Sequence, residues 1–196
     1  MKIIGCILLV FCHVHAFAQK SESALKEKWH YTGLVQGGII AGANKEEYML
    51  QTIHGIRRNK IMVGIGAGVD NYLIAGFPIV AHGQYLLGKK EKAGFVYMQA
   101  GPQLPWKKNE WKAHILDRPQ YKLKTGWIAE MGIGYQIPLG KVKLISSLGY
   151  SIKQVSFEEQ QQIFWIGPII PRPAEPIYYQ NQLTSRRLIF KIGVSF

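Results

Sequence analysis

The feature that most restricts this chain is a strict two-residue alternation, clearest between Ile61 and Asp70. There Ile61, Val63, Ile65, Ala67 and Val69 alternate with Met62, Gly64, Gly66, Gly68 and Asp70. Successive side chains of a strand point to opposite faces, so this segment has one apolar face and one of small or polar groups. The last residues repeat the pattern: Leu188, Phe190, Ile192, Val194 and Phe196 share one face, while Ile189, Lys191, Gly193 and Ser195 share the other. Strands of this kind suit the wall of a barrel with an apolar exterior.

Turn residues divide the chain into eight candidate strands, at about 30–41, 48–56, 61–71, 78–87, 93–102, 125–137, 142–156 and 185–196. In the fourth, Ile79, Ala81, Gly83, Tyr85 and Leu87 oppose His82 and Gln84; in the sixth, Trp127, Ala129, Met131, Ile133, Tyr135 and Ile137 oppose Gly126, Glu130, Gly132, Gly134 and Gln136. The seventh sets Val142, Leu144, Leu148, Tyr150 and Ile152 against Lys143, Ser147, Ser151 and Lys153, whereas Phe95, Val96, Tyr97 and Met98 leave the facing of the fifth open. Strands two and three, four and five, and six and seven are joined by short turns. The connections 103–124 and 157–184 are long. An even strand count returns both termini to the short-turn side.

The start of the chain reads as a secretory signal peptide over 1–18. Lys2 precedes the apolar run Ile3 to Phe11, and Ala16-Phe17-Ala18 makes a cleavage box. A linker over 19–28 and a barrel domain over 29–196 follow. Cys6 and Cys12 leave with the signal, so the exported protein is expected to hold no disulfide and no thiolate site. Its remaining apolar runs are too short for a membrane-spanning helix; an integral protein of this sequence must close a sheet instead.

The expected fold is therefore all-β, an eight-stranded antiparallel transmembrane β-barrel in the outer membrane of a Gram-negative cell envelope, with N- and C-termini periplasmic. Trp29, Tyr31, Tyr85, Tyr135 and Phe196 would form the periplasmic aromatic girdle, and Tyr72, Trp106, Trp127 and Tyr150 the extracellular one. The rival is a soluble periplasmic lipocalin-like binder, which turns its apolar face inward around a ligand. The glycines of the polar face favour the membrane barrel, because a small barrel has little interior room. His82, Gln84, Glu130, Lys143, Lys153 and Lys191 would fill that interior as a lumenal polar network, leaving no bulk pore.

On the signal ending Ala16-Phe17-Ala18, the segment from Gly64 to Tyr72, the arm from Pro78 to Lys90 and the terminal Phe196, the chain resembles the small outer-membrane barrel families of the OmpA transmembrane-domain and OmpX type. The resemblance implies that the barrel-assembly machinery reads the last strand, with Phe190, Ile192 and Phe196 as its signal. It implies no molecular activity.

Some outer-membrane barrels are enzymes, and four histidines remain after the signal: His30, His54, His82 and His114. None falls in the His-x-Ser spacing of lipid A deacylases, and none makes a zinc-type pair. His82 and Glu130 are a base and a carboxylate without an identifiable nucleophile, so a lipid A-modifying hydrolase or acyltransferase is the alternative rather than the expectation. No cofactor or metal is expected.

The formal charge of +12 points to anionic partners. In an exported chain these are outer-membrane lipids and lipopolysaccharide rather than nucleic acid. Trp106, Lys107, Lys108, Trp111, Lys112 and Arg118 are the candidate contacts to lipopolysaccharide phosphates or an anionic glycan. The connection 157–184 is proline-rich and apolar for a free loop, which suits folding over the barrel mouth or docking a protein partner. The expectation is a monomer of structural, adhesive or partner-binding role.

Overall fold

The alternation becomes a wall because each strand finds antiparallel neighbours on both sides. The computed structural model describes residues 28–41, 47–72, 74–88, 92–106, 121–161 and 177–196. Within them eight strands run in chain order: β1 (His30–Ile40), β2 (Glu47–Arg58), β3 (Ile61–Asp70), β4 (Gly76–Leu86), β5 (Ala93–Pro105), β6 (Tyr121–Leu139), β7 (Val142–Gln161) and β8 (Ile177–Ser195). Each pairs with the next, and β8 returns to β1 to close the barrel. The expected signal at 1–18 and most of the linker lie outside the described residues.

Closure is made by backbone. Leu34 to Ile40 pair with Ser195 to Ile189, and beyond them Gly33 and Phe196 exchange reciprocal N–H···O bonds of 2.8 and 3.0 Å. The Phe196 ring lies over Gly33 on the outer surface, where an added Cβ would stand only 2.5 Å from two ring carbons. A larger residue at 33 would displace the ring from this position.

Two hairpins use two-residue turns. Arg58 pairs with Ile61 around Asn59-Lys60, and Leu139 pairs with Val142 around Gly140-Lys141. Asn59 (φ 53°) and Gly140 (φ 65°) adopt the left-handed conformation such turns need, which asparagine and glycine tolerate best. These turns, the β4–β5 connection and Phe196 share one rim, called here the short-turn rim.

Strand ends differ from the sequence expectation at the opposite rim. β5 runs on to Pro105, β6 begins at Tyr121, β7 reaches Gln161 and β8 begins at Ile177. Much of what reads as long connection is thus a continued ladder, interrupted by a register shift between Lys124 and Trp127. Polar sequence hid it: Gln154 joins Trp127 and Gln182 by side-chain hydrogen bonds, and Lys124 pairs with Glu158. Strand five also acquires a facing, with Phe95 and Tyr97 buried inside and Val96 and Met98 outward.

Side chains fill the interior in tiers. Leu34, Ile53, Met62, Leu86, Phe95, Tyr97 and Ile145 cluster toward the short-turn rim, and Ile40, Met49, Tyr72 and Ile189 toward the other. Tyr72 is therefore no member of an outer aromatic girdle. It is fully buried, because the chain after β3 turns into the mouth.

Glycine thins the wall where neighbours leave no room. A Cβ on Gly126 would collide with the Gln154 carbonyl, whereas one on Gly83 meets nothing nearer than Met98 Cγ at 3.9 Å. Gly126→Val is expected to cost about 1–3 kcal/mol through overpacking, and Gly83→Ala to change stability by less than about 0.5 kcal/mol. Urea unfolding followed by tryptophan fluorescence checks both; equal midpoints for the two variants would contradict the assignment.

Candidate functional site in the barrel lumen

Inward parity brings polar residues from six strands to the middle of the lumen. Glu130, from the centre of β6, pairs with Lys191 of β8, both side chains being about 1% exposed. Tyr97 donates to Glu130 Oε1 at 2.5 Å, and Gln99 Nε2 donates to Oε2 at 2.9 Å. Gln99 and Gln51 exchange amide bonds of 3.2 and 3.3 Å, and Gln36 donates to Gln51 at 2.9 Å. His82 lies 3.4 Å from Gln99 Oε1 through Nδ1 and stacks on Tyr97 at a centroid distance of 6.0 Å. The Lys191 ammonium also sits 4.4 Å from the Tyr97 ring centre. Both carboxylate oxygens and the ammonium are thus satisfied, the condition under which a buried ion pair is tolerated.

A second cluster closes the mouth. Lys153 Nζ donates to Asp70 Oδ2 at 3.0 Å, to the Tyr72 carbonyl at 2.5 Å and to the Ile74 carbonyl at 2.8 Å. Asp70 accepts from the Tyr72 backbone N–H at 2.6 Å, and the Tyr72 hydroxyl donates to Ser185 Oγ. The Arg187 guanidinium lies 4.6 Å from the centre of the Tyr72 ring. Burial holds the Tyr72 phenol above its usual range, so it stays a neutral donor. One ammonium ties β7 to the chain leaving β3.

Of the residues expected inside, His82, Gln84, Glu130, Lys153 and Lys191 are buried, but in two separate groups. The Glu130 partner is Lys191, while Lys153 belongs to Asp70. Lys143 has inward parity yet is only half-buried at the rim. The Gln84 amide has no hydrogen-bond partner among the described residues. Phe190, Ile192 and Phe196 are exposed on the outer face. Trp106 is also exposed and stacks on Phe77 at 4.8 Å, whereas Lys107, Lys108, Trp111, Lys112 and Arg118 lie outside the described residues. So does most of 157–184, apart from the portions that belong to β7 and β8.

Sequence reasoning did not assign Asp70, Gln36, Gln51, Tyr97 or Gln99 to the site; inward parity could have selected the first three, whereas the last two lie on β5, whose facing the structure supplies. It also missed Arg57, buried at 3% exposure, whose contact is Met62 Sδ at 3.6 Å with no carboxylate partner among the described residues. On the outside, His54 joins Thr52 Oγ1 at 3.0 Å and the Tyr31 hydroxyl at 2.5 Å, a polar island in an apolar face. No family model matches this chain, and no curated protein does.

Chemically, the lumen holds two hydrogen-bonded clusters, each built on a buried ion pair. Gln99 stands between His82 and Glu130, so the two do not form a base–carboxylate pair. No cluster of three metal-ligating side chains occurs among the described residues.

Removing one member of the central pair leaves the other charge buried and unpaired. Glu130→Leu or Lys191→Met alone should cost about 3–5 kcal/mol, and the double variant should recover most of the loss. A double-mutant cycle by urea unfolding measures this, and additive losses would refute the pairing. Arg57→Met should be neutral or stabilising in the same assay, since it removes a buried cation with no acidic partner among the described residues.

Proposed function

We propose that this chain is an integral outer-membrane β-barrel protein, a monomer whose role is structural, adhesive or partner-binding rather than catalytic or bulk-conducting. The observation that carries the reading is the inversion of the wall. Ile65 is 68% exposed, Met98 65%, Met131 63% and Ile133 62%, while Lys153 and Gln136 on the inner face are 0% exposed. A soluble barrel hides such an apolar surface, whereas hydrocarbon is the solvent that favours it.

A closed sheet leaves no unpaired edge, which is what a bilayer demands of strands. Exposed Trp29, Tyr31, Tyr85, Tyr135 and Phe196 toward one rim and Trp106 and Trp127 toward the other suit two interfacial girdles, whereas Tyr150, opposite Met131, lies at mid-strand and joins neither. The short-turn rim is then periplasmic, together with Phe196, and the β5–β6 and β7–β8 connections face the exterior. Phe190, Ile192 and Phe196 serve as the assembly signal. External contacts with lipopolysaccharide or a protein partner fall to those two connections.

Cell fractionation tests the reading. The protein should remain with outer membranes through carbonate extraction and migrate faster on gels unheated than boiled. A carbonate-soluble, heat-insensitive protein would overturn it in favour of the lipocalin-like alternative.

A further inference from the structure

The outer face of β2 departs from the apolar rule. In order from the short-turn rim it presents Arg58, Ile56, His54, Thr52, Leu50 and Tyr48. Arg58 and Lys60 have no carboxylate partner among the described residues. Their cationic groups instead lie 5.9 Å from the Trp29 ring centre and 6.0 Å from that of Tyr85. His54 follows at about 13 Å along the strand from Arg58, or about 10 Å in depth once barrel tilt is allowed for.

Beside His54 the outer surface has a shallow, open apolar groove lined in part by Thr52, Ile56, Val63, Ile65, Ala67 and Ile79. Its floor is thin because Gly55 and Gly64 are cross-strand partners. Polar side chains on a hydrocarbon-facing surface are costly and mark a function by default. Here they stand between two rim cations and a groove of acyl-chain character.

We infer that this face binds one anionic glycerophospholipid from the periplasmic side. Arg58 and Lys60 take the phosphate, the Tyr31–His54–Thr52 chain meets the glycerol-ester region, and the groove holds one acyl chain. The hydrogen-bond directions allow it. If Thr52 donates to His54 Nε2, then His54 Nδ1–H donates to the Tyr31 oxygen, and the Tyr31 hydrogen is left for an ester carbonyl. Charge complementarity selects an anionic headgroup over a zwitterionic one. The inference rests on the membrane reading above.

The test is native mass spectrometry of the intact protein in detergent, offered dioleoyl phosphatidylglycerol or dioleoyl phosphatidylcholine. Wild type should retain one phosphatidylglycerol with a preference of roughly tenfold. Arg58→Gln with Lys60→Gln should abolish the preference, and Ala67→Trp, which fills the groove, should abolish retention of both lipids. Absence of preference in wild type, or full retention by the tryptophan variant, overturns the site. Should that variant lack the heat-shifted gel band of a folded barrel, phosphatidylglycerol with a diazirine in its acyl chain decides on the native protein. Labelling concentrated on 52–67 supports the site, and labelling spread evenly over the strands overturns it. A carbonate-soluble protein that still retains phosphatidylglycerol would sink the membrane reading and leave the site standing.

Discussion

Closure of the sheet through β1 and β8 is the constraint from which the other features descend. Eight strands enclose a narrow lumen lined by side chains, and the inter-strand ladders satisfy most of the wall's own backbone. The buried charges of Glu130, Asp70, Lys153 and Lys191 therefore settle among inward residues, although the Gln84 and Gln103 amides make no such bond among the described residues. Glu130 does so with Lys191, Tyr97 and Gln99, and Asp70 with Lys153. Space rather than solubility sets the inner composition, which is why Gly64, Gly132 and Gly193 share the inner face with lysines.

The wall itself was legible because parity is a local property. From Ile61 to Asp70 each residue declares its face without reference to any neighbour, and the same holds for Leu188 to Phe196. Partnership is not local. Lys153 and Lys191 share an inward parity, yet only strand stagger decides that the first meets Asp70 and the second Glu130. Strand ends were obscured for a related reason: beyond Lys124 and Gln154 the ladder continues through polar residues on both faces, erasing the alternation that marks a strand. Strand five was ambiguous because Phe95, Val96, Tyr97 and Met98 are all large and apolar, and only the pairing of Tyr97 with Glu130 distinguishes the two faces.

Tyr72 and His54 both lie where residue type alone would not put them. An aromatic next to a strand end suggests an interface, but Asp70 and Lys153 draw the backbone of Tyr72 inward and the ring follows. A histidine suggests a polar interior, but an even-numbered place on β2 turns His54 outward, where Tyr31 and Thr52 accommodate it. In each case the backbone overrules the chemistry of the side chain.

The Lys153 latch also sets a long-range dependence. It joins residues 83 positions apart, and its acceptors at Asp70, Tyr72 and Ile74 lie at the end of β3 and just after it, four strands before its own. A contact of such separation carries a loop-closure cost that the intervening strands must offset. Loosening of β4, β5 or β6 is therefore passed on to a contact that none of the three makes.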